Sequence, residues 1–185
     1  MSDRVSFILN IEDFAANKEL FELLQSYHSD YLDAFFVLFQ YLGKGYVVVF
    51  ILIFLWFYKR EYFRQFLVSS IVCAIIVISL KYIISAPRPA SMLNNVRLLI
   101  PLYRYSFPSG DVAVASLILL FFFKKVRYVL RLCLAVYWLL ISYGRIYLGV
   151  HFPLDIIGGL FVSYISIIIA NWWNNNRLKN INVKS

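Results

Sequence analysis

His151 and Asp155 stand four residues apart with Pro153 between them. A helix beginning near Pro153 sets the carboxylate one turn below the imidazole. There it can hold one ring nitrogen, fix the tautomer and stabilise a positive ring while the other nitrogen acts as a nucleophile. Arg145 precedes the histidine with five residues between them, and two further groups of anion-binding residue types lie upstream: Lys81 with six residues before Arg88-Pro89, and Pro108-Ser109-Gly110-Asp111. Lys81 and Arg88 are close to two helical turns apart and face the same way if the helix persists to Pro87. Taken alone, that pair fits a snorkelling lysine and a capping arginine as well. Pro108-Ser109-Gly110 precedes an apolar run and reads as a helix N-terminus with free amides, a hydroxyl and a glycine that admits an anion closely. Taken alone, it fits an ordinary N-cap. Beyond Arg60 the only acids are Glu61, Asp111 and Asp155, and the last two each adjoin one of these groups. The three segments together read as one divided oxyanion site with a nitrogen nucleophile.

Such a site needs elements that bring distant segments together, and the composition says which kind. Of the 185 residues, 62% are hydrophobic and 15% charged, which excludes an ordinary soluble domain. Apolar stretches run from about Leu42 to Tyr58, Phe66 to Ile84, Val112 to Phe123, Val129 to Tyr143 and Pro153 to Trp173. The expectation is an all-α, polytopic membrane helix bundle of about five transmembrane helices, the shorter of them borrowing flanking turns to span the bilayer. Ten basic residues fall on one side, from Lys59, Arg60 and Arg64 through Lys124, Lys125, Arg127 and Arg131 to Arg177, Lys179 and Lys184, against Glu61 alone. That side reads as cytoplasmic, and the acidic N-terminal region (Asp3, Glu12, Asp13, Glu19, Glu22, Asp30, Asp33) as external. The net charge of +8 is then a topology signal, and nucleic acid is not an expected partner. Cys73 and Cys133 fall inside apolar spans, with no disulfide or metal spacing and no removable signal peptide.

Residues 1–43 read as amphipathic interfacial helices, with Leu20, Leu23, Leu24, Tyr27 and Tyr31 at helical spacing and a turn at Gly43-Lys44-Gly45. Residues 44–173 form the transmembrane core and 174–185 a polar, mobile cytoplasmic tail. With this topology all three chemical segments emerge at the outer face, although the basic loops that set the topology are elsewhere. The outer loop from Ala90 to Phe107, with Arg97, Tyr103, Arg104 and Tyr105, is expected to set headgroup specificity, and Arg97 and Arg104 equally fit loop cations on the anionic lipid surface.

These residues resemble the type 2 phosphatidic acid phosphatase superfamily, whose motifs are Lys-x6-Arg-Pro, Pro-Ser-Gly-His and Ser-Arg-x5-His-x3-Asp. Nine positions match in order and spacing: Lys81, Arg88, Pro89, Pro108, Ser109, Gly110, Arg145, His151 and Asp155. The resemblance implies a metal- and cofactor-independent lipid phosphatase of a bacterial inner membrane, acting from the outer face through a phosphohistidine. His151 would take the phosphoryl group and Asp155 would orient it. Lys81, Arg88 and Arg145 would clamp the phosphate oxygens, and Ser109 and Gly110 would complete the cradle.

Two positions depart from the family. Gly144 stands where a serine is usual, and Asp111 stands where the family has the histidine that protonates the leaving group. Asp111 has three readings: a substitute acid, a helix-start residue, or the mark of a leaving group that needs little help. A lipid diphosphate or an anomeric sugar-lipid phosphate supplies such a leaving group. The expected substrate is lipid A 1-phosphate, undecaprenyl diphosphate or phosphatidylglycerophosphate, taken from the bilayer. The alternative is a non-catalytic lipid-phosphate-binding or transport member of the same fold. The sequence sets no oligomeric state.

Overall fold

The Gly43-Lys44-Gly45 turn divides the N-terminal helices from the first long apolar segment. The structure, a computed structural model, describes residues 11–102 and 105–182; Asp3, Tyr103, Arg104 and Lys184 lie outside them. Helix α1 spans Ala15–Ser26 and α2 spans Asp30–Phe39, the latter capped by the Ser29 hydroxyl, which accepts from Leu32 N. A 3-10 turn, Gln40–Gly43, then leads into α3, Gly45–Tyr58, with a 51° bend between the two halves.

Helix α1 turns a different face inward from the one its leucines suggest. Asn17, Phe21 and Gln25 are buried at a spacing of four, whereas Leu20, Leu23 and Tyr27 are exposed. The inward polar groups have partners. Asn17 Oδ1 accepts from Leu154 N at 3.1 Å, and Gln25 pairs with both the N–H and the C=O of Arg97. The exposed leucines form an apolar outer face of the kind a bilayer surface accepts.

Four more long helices follow, with one short turn among them: α4, Arg60–Ile84; α5, Pro89–Met92; α6, Gly110–Phe122; α7, Tyr128–Tyr147; and α8, Pro153–Asn182. No strand occurs among the described residues. Three of the five expected spans are long and apolar enough to cross a membrane by themselves: Arg60–Met92, Tyr128–Tyr147 and Pro153–Asn175. A fourth exists if α2 and α3 are one bent span. Helix α6 has 13 residues, about 20 Å at 1.5 Å per residue, short of the ~30 Å hydrocarbon thickness. It lies at the centre of the bundle, with Val112, Ala113, Ala115, Leu117 and Phe121 at most 1% exposed. The outer surface exposes Phe50, Phe57, Ile75, Val136 and Phe161, as lipid contact requires.

Two glycines on α8 let α6 approach closely. A Cβ on Gly159 would meet Ser109 O at 2.9 Å, and one on Gly158 would meet the Phe107 ring at 2.5 Å. Ser163 Oγ donates to Ala113 O across the same contact at 2.6 Å. Helix α8 continues through Asn182, past the end of its apolar span at Asn175.

Candidate active site

Asp155 lies in the first turn of α8 and collects three donors on one oxygen. Its Oδ2 accepts from Phe152 N at 2.8 Å and Ser106 Oγ at 2.5 Å, and pairs with His151 Nδ1 at 3.1 Å. Asp155 is fully buried and His151 is 3% exposed. With Nδ1 engaged by the carboxylate, the ring presents Nε2 to the adjoining cavity. Burial holds the imidazole neutral, pushing its pKa down to about 4 against the upward pull of Asp155. The spacing argument from Pro153 therefore meets the observed geometry. Ser106, which fixes both members of the pair, carried no motif signal.

Lys81 and Arg88 converge by another route than the expected continuous helix. Helix α4 ends at Ile84, where Ser85 adopts a left-handed φ of 51°. The chain then runs extended before the short helix at Pro89. Both cations still meet at one carbonyl: Lys81 Nζ donates to Tyr105 O at 2.9 Å and Arg88 Nη2 to the same oxygen at 3.0 Å. Lys81 also donates to Ser106 O, and Arg88 Nη1 to Val150 O at 2.7 Å. The loop that carries Tyr105 thus fixes the direction of both side chains.

Ser109 caps α6, its hydroxyl accepting from Val112 N, and its own N–H donates to Asp155 O at 3.2 Å. It is fully buried, and Gly110 rather than Ser109 reaches the cavity wall. Asp111 is held by two cations: Oδ2 lies 2.8 Å from Lys44 Nζ and 3.0 Å from Arg145 Nη1. Arg145 Nη1 also donates to Gln40 Oε1 at 3.0 Å. An ion-paired carboxylate is an acceptor with no proton to give.

Lys44 sits in the glycine turn before α3, and nothing local to it marks a site, since its partner Asp111 is 67 residues away. The segments enclose a cavity of about 510 Å³ whose wall holds Lys44, Lys81, Arg88 and Arg145, with Asp111 and His151. Four cations against one carboxylate make it an anion site. Among the described residues no group of His, Cys, Asp or Glu is placed to hold a metal ion.

Arg97 does not belong to this cavity. Its guanidinium pairs with Asp33 on α2, with Nη1 to Oδ1 at 2.6 Å, and Tyr147 Oη donates to the same carboxylate. Arg97, expected to meet a headgroup, instead ties the loop to α2. Tyr105 does line the cavity.

Gly144 also has a physical reason. A Cβ there would come within 2.8 Å of Phe36 Cδ1, and Phe36 is 3% exposed, wedged among Phe35, Tyr143 and Tyr147. The ring occupies the space a serine would need. Restoring the family residue with Gly144→Ser is expected to lower stability by about 1–3 kcal/mol through overpacking, without raising activity. Thermal unfolding in detergent checks this, and an unchanged melting temperature contradicts it.

Comparison with known proteins shows the family. The model of the PAP2 superfamily matches residues 62–179. An undecaprenyl-diphosphatase of Sulfolobus acidocaldarius is 30% identical over 190 residues, spanning 98% of this chain and 90% of that protein. The crystal structure of Aquifex aeolicus LpxE superposes with a TM-score of 0.82 at 43% identity, covering 86% of this chain and 97% of that one. A PAP2-type phosphatidylglycerolphosphate phosphatase of Bacillus subtilis shares the fold, with a TM-score of 0.70 at 20% identity over 93% and 90% of the two chains. Because the match runs through all three motif segments and extends over well beyond half of the sequence, the chain belongs to the PAP2 superfamily and is a membrane lipid phosphatase.

Proposed function

We propose that the chain removes a terminal phosphate from a lipid-linked substrate through a phosphohistidine at His151. The observation that carries this reading is the orientation of one ring. Asp155 holds Nδ1 while Nε2 faces a cavity walled by Lys44, Lys81, Arg88 and Arg145. Nε2 attacks phosphorus, and the bond to the leaving oxygen breaks with its electron pair passing to that oxygen. The cations take up charge on the equatorial oxygens, and Asp155 balances the imidazolium. Water then attacks the phosphoryl group, breaking the N–P bond and releasing inorganic phosphate. Ser109 caps the helix that presents Gly110 to the phosphate.

The ion-paired state of Asp111 favours a substrate whose leaving group departs without a strong acid. A lipid diphosphate, as in the name of the Sulfolobus relative, is such a substrate, with undecaprenyl diphosphate as the leading case. Lipid A 1-phosphate, with its anomeric leaving group, and phosphatidylglycerophosphate complete the panel. The basic loops at Lys59–Arg64 and Lys124–Arg131 lie at the helix ends opposite the cavity. They support a cytoplasmic C-terminus and a site on the outer face of a bacterial plasma membrane.

Phosphate release from this panel by the purified protein tests the reading. Faster hydrolysis of phosphatidic acid than of the diphosphate would remove the leaving-group argument, and no release from any lipid would favour a non-catalytic binder. Asp111→Asn separates the roles of that residue. Loss of a general acid costs about 10²–10⁴-fold. Asp111→Asn is expected to keep diphosphate hydrolysis within about tenfold and to lower KM, since the carboxylate no longer competes with phosphate for Lys44 and Arg145.

A further inference from the structure

Asp155 satisfies only one of its carboxylate oxygens. Oδ2 takes all three donors, while Oδ1 is buried with no hydrogen-bond partner among the described residues. Leaving a carboxylate oxygen bare in a buried site is costly. The neighbouring group is Glu12, three residues before α1, which is 0% exposed and has no hydrogen-bond partner for either Oε1 or Oε2 among the described residues. As carboxylates the two have only acceptors to offer each other.

The backbone holds them together. Asn17 Nδ2 donates to Glu12 O at 3.0 Å, while Asn17 Oδ1 accepts from Leu154 N, one residue before Asp155. A single asparagine thus clamps residue 12 to the first turn of α8.

We infer that Glu12 is a positioning residue that carries a proton and donates it to Asp155 Oδ1, so that the two carboxyls share one proton behind His151. One proton satisfies both groups, whereas two adjacent ionised carboxylates would repel in a dry site. Burial, then the charge of Asp155 and a hydrogen bond to it, raise the Glu12 pKa far above the usual carboxylate range. Lys81 and Arg88 oppose that shift without cancelling it. The consequence falls on the nucleophile. With Oδ1 already receiving a proton, Asp155 stays ionised and directs its charge through Oδ2 to His151 Nδ1. Without Glu12, the bare carboxyl would capture a proton for itself at higher pH and loosen its hold on the ring.

The kinetic consequence rests on the proposed role of His151, whereas the shared proton does not, and the experiment separates the two. Glu12→Gln keeps a donor of the same shape and is expected to retain kcat within about threefold, while Glu12→Leu removes it and lowers kcat by about 10–100-fold, the range for groups that hold a reacting side chain from behind. KM should stay unchanged in both, and the acid limb of the kcat profile should move to higher pH in the leucine variant only. A purely structural role would leave that limb in place. Infrared spectroscopy of the full-length protein at neutral pH is expected to show the carbonyl stretch of a protonated carboxylic acid that Glu12→Gln abolishes. That measurement needs neither activity nor a folded leucine variant. The inference is overturned if the band is absent or survives Glu12→Gln, if Glu12→Leu keeps the wild-type kcat and profile, or if Glu12→Gln is as impaired as Glu12→Leu.

Discussion

His151→Ala is expected to abolish phosphate release from every lipid in the panel, a loss of about 10⁴–10⁶-fold, the scale seen when a covalent nucleophile is removed. The cavity would still bind phosphate, because groups other than the ring hold its four cations in place: Tyr105 O holds Lys81 and Arg88, Gln40 holds Arg145 and Asp111 holds Lys44. The loss should therefore fall on kcat, with KM changed little. Asp155→Asn is the companion case. The ring would keep its place, but the amide cannot balance an imidazolium, and its NH₂ can turn toward Nδ1 and favour the wrong tautomer. A loss of about 10⁴-fold in kcat is expected there. Brief reaction with a radiolabelled lipid followed by a denaturing quench should trap an acid-labile phosphoprotein in wild type and none in His151→Ala. A trapped label in His151→Ala, or phosphate release at the wild-type rate, would assign the nucleophile elsewhere.

The parts of the site that depended on short spacing were legible in the sequence, and those that depended on long-range packing were not. His151 and Asp155 are related by one helical turn behind a proline, a local relation that α8 reproduces. Lys81 and Arg88 do act on one locus, but the loop carbonyl of Tyr105 aligns them where a continuous helix was expected. Lys44 and Ser106 were invisible because each gains its meaning from a partner 67 or 49 residues away. Glu12 counted only as external charge, yet it is fully buried. Helix α6 shows the same limit in the fold. Its apolar run marked a helix of the bundle, but only packing shows that protein rather than lipid encloses it. The outward leucines of α1 reverse the soluble-protein rule for the same reason: in a bilayer the inward face can be the polar one, provided each polar group is paired.

Arg145→Ala is expected to reduce kcat/KM by about 10²–10³-fold, the cost of removing one preorganised donor from a developing oxyanion. The residue is 3% exposed and held from behind by Gln40, so its guanidinium is already aimed before substrate arrives. Arg145→Lys should recover little, because an ammonium cannot reach Gln40 and a phosphate oxygen with the same planar fork. Asp111 makes this test more demanding. In the resting site Arg145 and Lys44 share the Asp111 carboxylate, so phosphate must displace one negative group to bind. Removing Arg145 alone leaves Asp111 paired to Lys44 and withdraws two cations from the phosphate in place of one. Adding Asp111→Asn to Arg145→Ala should release Lys44 and restore part of the loss, so the two changes together cost less than their separate effects imply. Strict additivity in this cycle would mean that the carboxylate and the substrate phosphate do not compete for the same cations.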